Sequence, residues 1–232
     1  MKMPNEGQWT FQSKDVADCF DIHVREQLPW YDLATGAVEH IARHYIPEGG
    51  LVYDIGASTG NIARAISETL EIRSARLIAV EKAPEMANKY QGPGEIIIAD
   101  ATSMNFEPFD FGVLFLSTIF MPPNIRGQFL THFIGALRPG GAIVMVERMQ
   151  AGSGYTSTIS ARLTLSNKLK AGATPENIVS KELSLSGIQR PLAQSELPSN
   201  AVEFFRLGDF AGWIIEASVI TPPPLSSSSN AP

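Results

Sequence analysis

The chain has 232 residues, 44% of them hydrophobic, a formal net charge of -6 and a single cysteine, Cys19. That length supports one sizeable core and one domain with insertions, and the acidic balance supplies no long-range attraction for nucleic acid. One cysteine excludes an intrachain disulfide and points to a cytoplasmic, reducing setting.

Residues 1–15 are polar and contain no apolar core, so no secretory signal is expected. From Lys14 to Glu26, Val16, Cys19, Phe20 and Val24 recur at helical spacing, and from Tyr31 to Tyr45 the set Leu33, Val38, Ile41 and Tyr45 does the same. These two helices form an N-terminal lid over residues 1–50. After Gly49-Gly50 the chain alternates. Strands are expected at Leu51–Ile55, Leu77–Val80, Ile96–Ala99, Phe111–Leu116 and Ala142–Val146, with helices at about Asn61–Leu70, Ala83–Tyr90 and Ile125–Leu137. The last helix stops at Arg138-Pro139-Gly140-Gly141, read as a tight turn. Near-continuous Val/Ile/Leu strands alternating with helices imply an α/β fold with a doubly wound parallel sheet. The longest apolar stretch, Gly112–Met121, is too short to cross a bilayer, so no membrane association is expected.

Residues 149–200 fall where simple alternation would place one helix, and read either as a solvated helix pair or as a cover over the carboxyl ends of the strands. Val202–Arg206 and Trp213–Ala217 flank Leu207-Gly208-Asp209 and read as an antiparallel hairpin. Five parallel strands with a terminal hairpin give a Rossmann-like, seven-stranded, mostly parallel sheet of the class I methyltransferase type, spanning 51–220. The tail, 221–232, is rich in Pro and Ser and reads as disordered or as a docking segment for a partner protein.

The most informative segment is Leu51–Ala63, LVYDIGASTGNIA. Gly56 lets the backbone approach a ligand, Ala57 and Ser58 shape the turn, and Gly60 admits the chain to a helix whose first N–H groups face the ligand. Asp54 ends the first strand and can attract an ammonium. Glu81 ends the second and can take the two hydroxyls of a ribose. Asp100 ends the third and can accept from an adenine amine, with the Ala101 N–H beside it. A ribose, an adenine and a charged amine together describe S-adenosyl-L-methionine.

The same turn fits Gly-x-Ser-x-Gly, the nucleophile elbow of hydrolases, but the one later histidine, His132, lies inside an expected helix with no acid to orient it. The full dinucleotide and P-loop patterns are absent. His40 and His44 share a helix face without a third ligand at recognisable spacing, so no metal is expected. Met121-Pro122-Pro123 after the fourth strand lacks the preceding Asp or Asn of amino-methylating DNA enzymes.

Trp9-Thr10-Phe11, Val16-Ala17, Phe20, Pro29, Tyr31, Val52 to Ser58, Pro139-Gly140-Gly141, Glu147 and Asp209-Phe210 together resemble the carboxy-S-adenosylmethionine synthases. These are relatives of the class I methyltransferases that act in tRNA wobble-uridine modification. The resemblance implies cofactor contacts at Tyr31, Gly56, Ala57, Ser58, Glu81, Lys82, Asp100 and Ala101, and a homodimer. Two positions depart from that family. Phe115 stands in the cofactor-contacting set where the family has Asn, and Glu182 falls opposite an Arg that grips the extra carboxylate, leaving Arg162 or Arg190 to supply the cation.

The first reading is therefore an S-adenosylmethionine-dependent methyltransferase whose acceptor, small molecule or tRNA, the sequence does not name. In-line methyl transfer gains much of its rate from positioning. If a base acts, Tyr31 and His23 are the candidates. The alternatives are a carboxy-S-adenosylmethionine synthase-like enzyme and a non-catalytic cofactor-binding or structural module.

Overall fold

The computed structural model describes residues 7–217, so the tail at 221–232 lies outside the described residues. The first two helices are α1 (Lys14–Gln27) and α2 (Tyr31–Tyr45). In chain order there follow β1 (Leu51–Ile55), α3 (Asn61–Ala65), α4 (Ser67–Ile72), β2 (Arg76–Glu81), α5 (Pro84–Ala87), β3 (Glu95–Ile98), β4 (Phe109–Phe115) and α6 (Pro123–Gly135). β5 (Leu137–Arg148), α7 (Tyr155–Lys170), α8 (Pro175–Ser184), β6 (Val202–Leu207) and β7 (Phe210–Glu216) complete the described fold. One seven-stranded sheet runs in the order β3-β2-β1-β4-β5-β7-β6. β1 to β5 are mutually parallel, and the β6–β7 hairpin joins antiparallel through β7 on β5.

Strand alternation explains the two cores. Val52, Leu77, Val113 and Val144 face α1, α2 and α3, packing on Val24, Ala34, Val38, Ile41 and Ile62. Their neighbours Tyr53, Ile78, Leu114 and Ile143 point to the opposite face and pack on Phe129, Leu130 and Phe133 of α6. Each fully buried side chain of this size contributes about 1.5–3 kcal/mol, so both layers hold the sheet. Trp30, between α1 and α2, touches Phe205 and Phe210 and ties the helical lid to the hairpin.

Several local expectations need correction. Leu33 is 71% exposed, and the buried stripe of α2 runs instead through Tyr31, Ala34, Val38 and Ile41. The helix expected over 61–70 divides at Ile66, where Ser67 Oγ donates back to the Arg64 carbonyl at 2.8 Å, the kind of back-bond that bends helices. The helix expected over 83–90 contracts to Pro84–Ala87. The Arg138–Gly141 turn does not precede a strand but lies within β5. Leu137 already pairs with Phe109, the register then jumps to Phe111 with Ala142, and a Cβ on Gly141 would meet the Asp110 carbonyl at 2.4 Å.

Candidate active site

Parallel strands deliver their carboxyl ends to one edge of the sheet, and there β1 to β5 open on a cavity of about 660 Å³. α1, α8 and the segment from Trp9 to Gln12 close the opposite side.

One end of the cavity is built by β1, β2 and β3. The amides of Gly56 and Ala57 both donate to the Val80 carbonyl, at 2.8 and 3.0 Å, pinning the Gly-rich turn to β2. Gly56 has φ +78°, and a Cβ there would stand 2.6 Å from that of Ser117. Ser58 also adopts a left-handed φ of 53°, and its amide donates to Glu81 Oε2 at 2.9 Å. Glu81 Oε1 takes the Ala83 amide at 2.8 Å, so each carboxylate oxygen is oriented and keeps a lone pair for a ligand. Asp54 is 1% exposed and its Oδ2 has no hydrogen-bond partner. Burial, helped by the charge of Glu81, pushes its carboxyl up to about 7. Asp100 caps a short 3-10 turn at Ala101–Ser103 by accepting from Thr102, and pairs with Lys82 at 2.8 Å.

β4 and β5 build the other end. Phe115 packs edge-on against Tyr31. The next residue, Leu116, has φ 55°. Glu147 Oε1 fixes this turn by accepting from the amides of Ser117 and Thr118 and from the Thr118 hydroxyl. Arg148, the last residue of β5, donates to Glu182 at 3.0 Å and Gln189 at 2.9 Å and lies 3.8 Å from Asp209. Lys168 of α7 pairs with Glu182 at 2.8 Å. These two cations hold the Glu182 carboxyl below its ordinary value, against its burial. Lys181 Nζ lies over the Trp9 ring with no ion pair or hydrogen bond of its own among the described residues, and burial pulls the amine down to about 6.

All twelve residues nominated from sequence except Gly60 line this one cavity. Gly60 acts behind it, where its φ of +90° turns the chain into α3. The two candidate bases behave differently from each other. Burial raises the Tyr31 phenol far above neutrality and keeps it a proton donor, whereas His23, stacked on Trp9, is pulled down to about 4 by burial and nearby lysines and stays neutral. Arg162 and Arg190 are exposed and do not reach the cavity; Arg148 and Lys168 bring positive charge to its β4–β5 end and Lys82 to the other. His132 packs on Phe106, away from Ser58 and the cavity. His40 and His44 meet edge to face on α2.

Sequence reasoning passed over Arg148. A usable signal existed, since it ends β5 as Asp54, Glu81 and Asp100 end or closely follow their own strands.

The sheet order and the terminal hairpin are those of the Rossmann-like fold of class I methyltransferases. Residues 53–145 match the family described as a methyltransferase domain. Among known proteins, the chain is 28% identical over 193 residues to the carboxy-S-adenosyl-L-methionine synthase of Staphylococcus epidermidis, covering 81% of this chain and 84% of that one. It is 29% identical over 153 residues to the enzyme of the same name from Erwinia tasmaniensis, covering 62% of each. Among solved structures it resembles the plantazolicin methyltransferase in complex with SAH, with a TM-score of 0.58, 12% identity and coverage of 88% and 90%. It also resembles human N-acetylserotonin methyltransferase in complex with SAM, with a TM-score of 0.56, 10% identity and coverage of 90% and 58%.

Proposed function

We propose that this chain is a class I methyltransferase that transfers the methyl group of S-adenosylmethionine to a small acceptor held at the β4–β5 end of the cavity. The observation that carries the reading is the buried, unpartnered Oδ2 of Asp54 beside the Gly56 turn and the oriented Glu81. A ligand ammonium satisfies the first, close backbone approach needs the second, and a ribose fits the third. Asp100 and the Ala101 amide then serve the adenine, and Tyr31 and Phe115 wall the sulfur-bearing portion. S-adenosylmethionine supplies an activated methyl carbon when bound. The protein's part is to exclude water, align the acceptor and neutralise the ammonium, all of which positioning alone can convert into rate. A cavity of about 660 Å³ supports a small acceptor over tRNA. α7 and α8, from the 149–200 insertion, supply its far wall and act as a substrate cover.

A second reading, synthesis of carboxy-S-adenosylmethionine, is supported by the names of the relatives and by the cations Arg148 and Lys168 at the acceptor end. Against it stands Glu182, which already occupies both.

Among the described residues no helix is long and apolar enough to cross a membrane, and a cytoplasmic location belongs to the same proposal. So does a homodimer, whose contact would cover the exposed Tyr155, Ile159 and Leu163 of α7; size-exclusion chromatography with light scattering reads it directly.

Calorimetric titration with S-adenosylmethionine tests the cofactor assignment. Wild type should bind and Gly56→Val should not; no heat at millimolar ligand would overturn it. Mass spectrometry of the copurified ligand separates the two readings, because only the second predicts the carboxylated form.

A further inference from the structure

Apart from the cofactor end, the cavity has a corner lined by Trp9 of the N-terminal strap, His23 of α1, Lys168 of α7 and Lys181 of α8. Gly7 and Trp9 donate their amides to the Leu183 and Ser184 carbonyls, each at 3.0 Å, which stitches the strap to the end of α8. Trp9 is thereby fixed as a platform. Lys181 Nζ lies over its ring and His23 stacks on it, so the ring offers no free face to a ligand. The face of an indole attracts the ammonium form of a lysine, and this contact opposes the desolvation that otherwise pulls the amine down.

The charges around that ammonium do not balance. Arg148 donates to Glu182 at 3.0 Å and lies 3.8 Å from Asp209, while Lys168 pairs with Glu182 at 2.8 Å. Three cations therefore share two carboxylates, and Lys181 is the one left without an ion pair or hydrogen bond among the described residues. Its nitrogen, unlike the sealed Trp9 Nε1 and His23 Nε2, keeps surface open to the cavity. A buried cation without a counter-ion is costly, and one negative charge brought by a ligand offsets that cost. A second negative charge finds no free partner here. Much of the remaining wall is apolar, with Phe20, Phe120, Met121, Leu185 and Ile188 lining the same cavity.

We propose that the acceptor is a small apolar molecule bearing a single negative charge, a monocarboxylate being the simplest case, and that Lys181 Nζ binds that charge. This rests on the methyltransferase reading above and names the class of its acceptor. Around Lys181 stand Trp9 from the strap, His23 from α1, Lys168 from α7 and Glu182 from its own helix, whereas Tyr31 and Phe115 wall the sulfur-bearing portion of the cofactor. The charge therefore belongs to the acceptor and not to the cofactor. Lys181 acts in recognition and takes no part in the transfer itself.

Calorimetry at pH 7 on protein saturated with S-adenosylhomocysteine tests this with benzoate, its neutral isostere benzamide and the dianion terephthalate. Wild type should bind benzoate at least about tenfold more tightly than benzamide, the difference made by one charge-assisted contact. Terephthalate should bind more weakly than benzoate. Lys181→Met should bind benzoate no better than benzamide, and Lys181→Arg, which keeps the cation, should retain the preference. The wild-type comparison decides even where a variant fails to fold. Equal wild-type affinity for benzoate and benzamide, a preference that survives in folded Lys181→Met, or tighter binding of terephthalate than of benzoate would overturn the proposal. The S-adenosylhomocysteine titration that precedes each run judges the cofactor reading separately: heat there without a benzoate preference leaves that reading intact, and no heat in wild type condemns it.

Discussion

The Ser58 amide donates to Glu81 Oε2 at 2.9 Å, so the Gly-rich turn after β1 is tied to the acid that ends β2. The bond holds a non-glycine residue at φ 53° and aims the carboxylate into the cavity. Such strain persists where the surroundings over-determine it, as at ligand sites. Glu81→Ala removes this acceptor and the one used by Ala83. Hydrogen bonds to charged groups are worth about 1.5–3 kcal/mol, so affinity for S-adenosylhomocysteine should fall by about tenfold or more. Calorimetry reads the loss, and an unchanged affinity would show that Glu81 does not touch the ligand.

Gly56→Ala probes the turn from the opposite side. The added Cβ stands 2.6 Å from Ser117 Cβ, and φ +78° disfavours any L side chain. Strain of about 1–3 kcal/mol is expected and should appear as a lowered urea midpoint. The Ser117 turn is itself held by Glu147 and has little room to yield, so cofactor binding should weaken with it. Gly140→Ala, where a Cβ meets nothing within 4 Å although φ is also positive, serves as a control that should leave cofactor affinity intact.

Asp54 gives a pH dependence whose sign follows from its burial. Its folded carboxyl is raised to about 7 from an ordinary 3.8, so the folded chain holds a proton that the unfolded chain releases between those values. Stability of the ligand-free protein therefore falls as pH rises through that window, by up to about 1.4 kcal/mol per pH unit from this group. Glu147, also raised to about 7, acts in the same direction. Asp54→Asn should flatten part of the slope measured by urea denaturation. A ligand ammonium favours the ionised form, so S-adenosylhomocysteine should bind more tightly as pH rises toward 7 and release protons near pH 6. Titrations in two buffers of different ionisation heat reveal the release, and Asp54→Asn should abolish it.

Periodicity located α1, α2, all seven strands and the sheet's parallel character because those signals are local. Asp54, Glu81 and Asp100 were legible as a site for a related reason: parallel strands send their last residues to the same edge, so three separate positions become one place without any tertiary knowledge. Lys181 and Trp9 were not legible as a pair. They lie far apart in the chain and meet only through the strap's bonds to α8, which no local pattern encodes. The bulge at Arg138–Gly141 was misread for the opposite reason. Its Pro and Gly residues describe a turn correctly, but only the pairing of Leu137 with Phe109 shows that a strand has already begun.

Glu182 supplies the last prediction, because its role reversed between sequence and structure. In the sequence it stands opposite an Arg that grips a carboxylate; in the fold it is the hub that neutralises Arg148 and Lys168. Glu182→Gln keeps the shape but leaves two part-buried cations beside Lys181. With the carboxylate about a third exposed, solvent screening limits the loss to about 1–2 kcal/mol. Glu182→Arg should be worse, since it adds a further positive charge to Arg148 and Lys168 without any new acid. The wild-type contribution also has a defined pH window. The carboxyl is held below its ordinary value, so the stabilisation is complete above that value and disappears as pH falls through the lowered one. Urea midpoints at pH 7 should rank wild type above Glu182→Gln and Glu182→Arg last, with the wild-type advantage shrinking in acid. Equal midpoints at pH 7 would mean that Arg148 and Lys168 find other acids, with Asp209 the nearest to Arg148 at 3.8 Å.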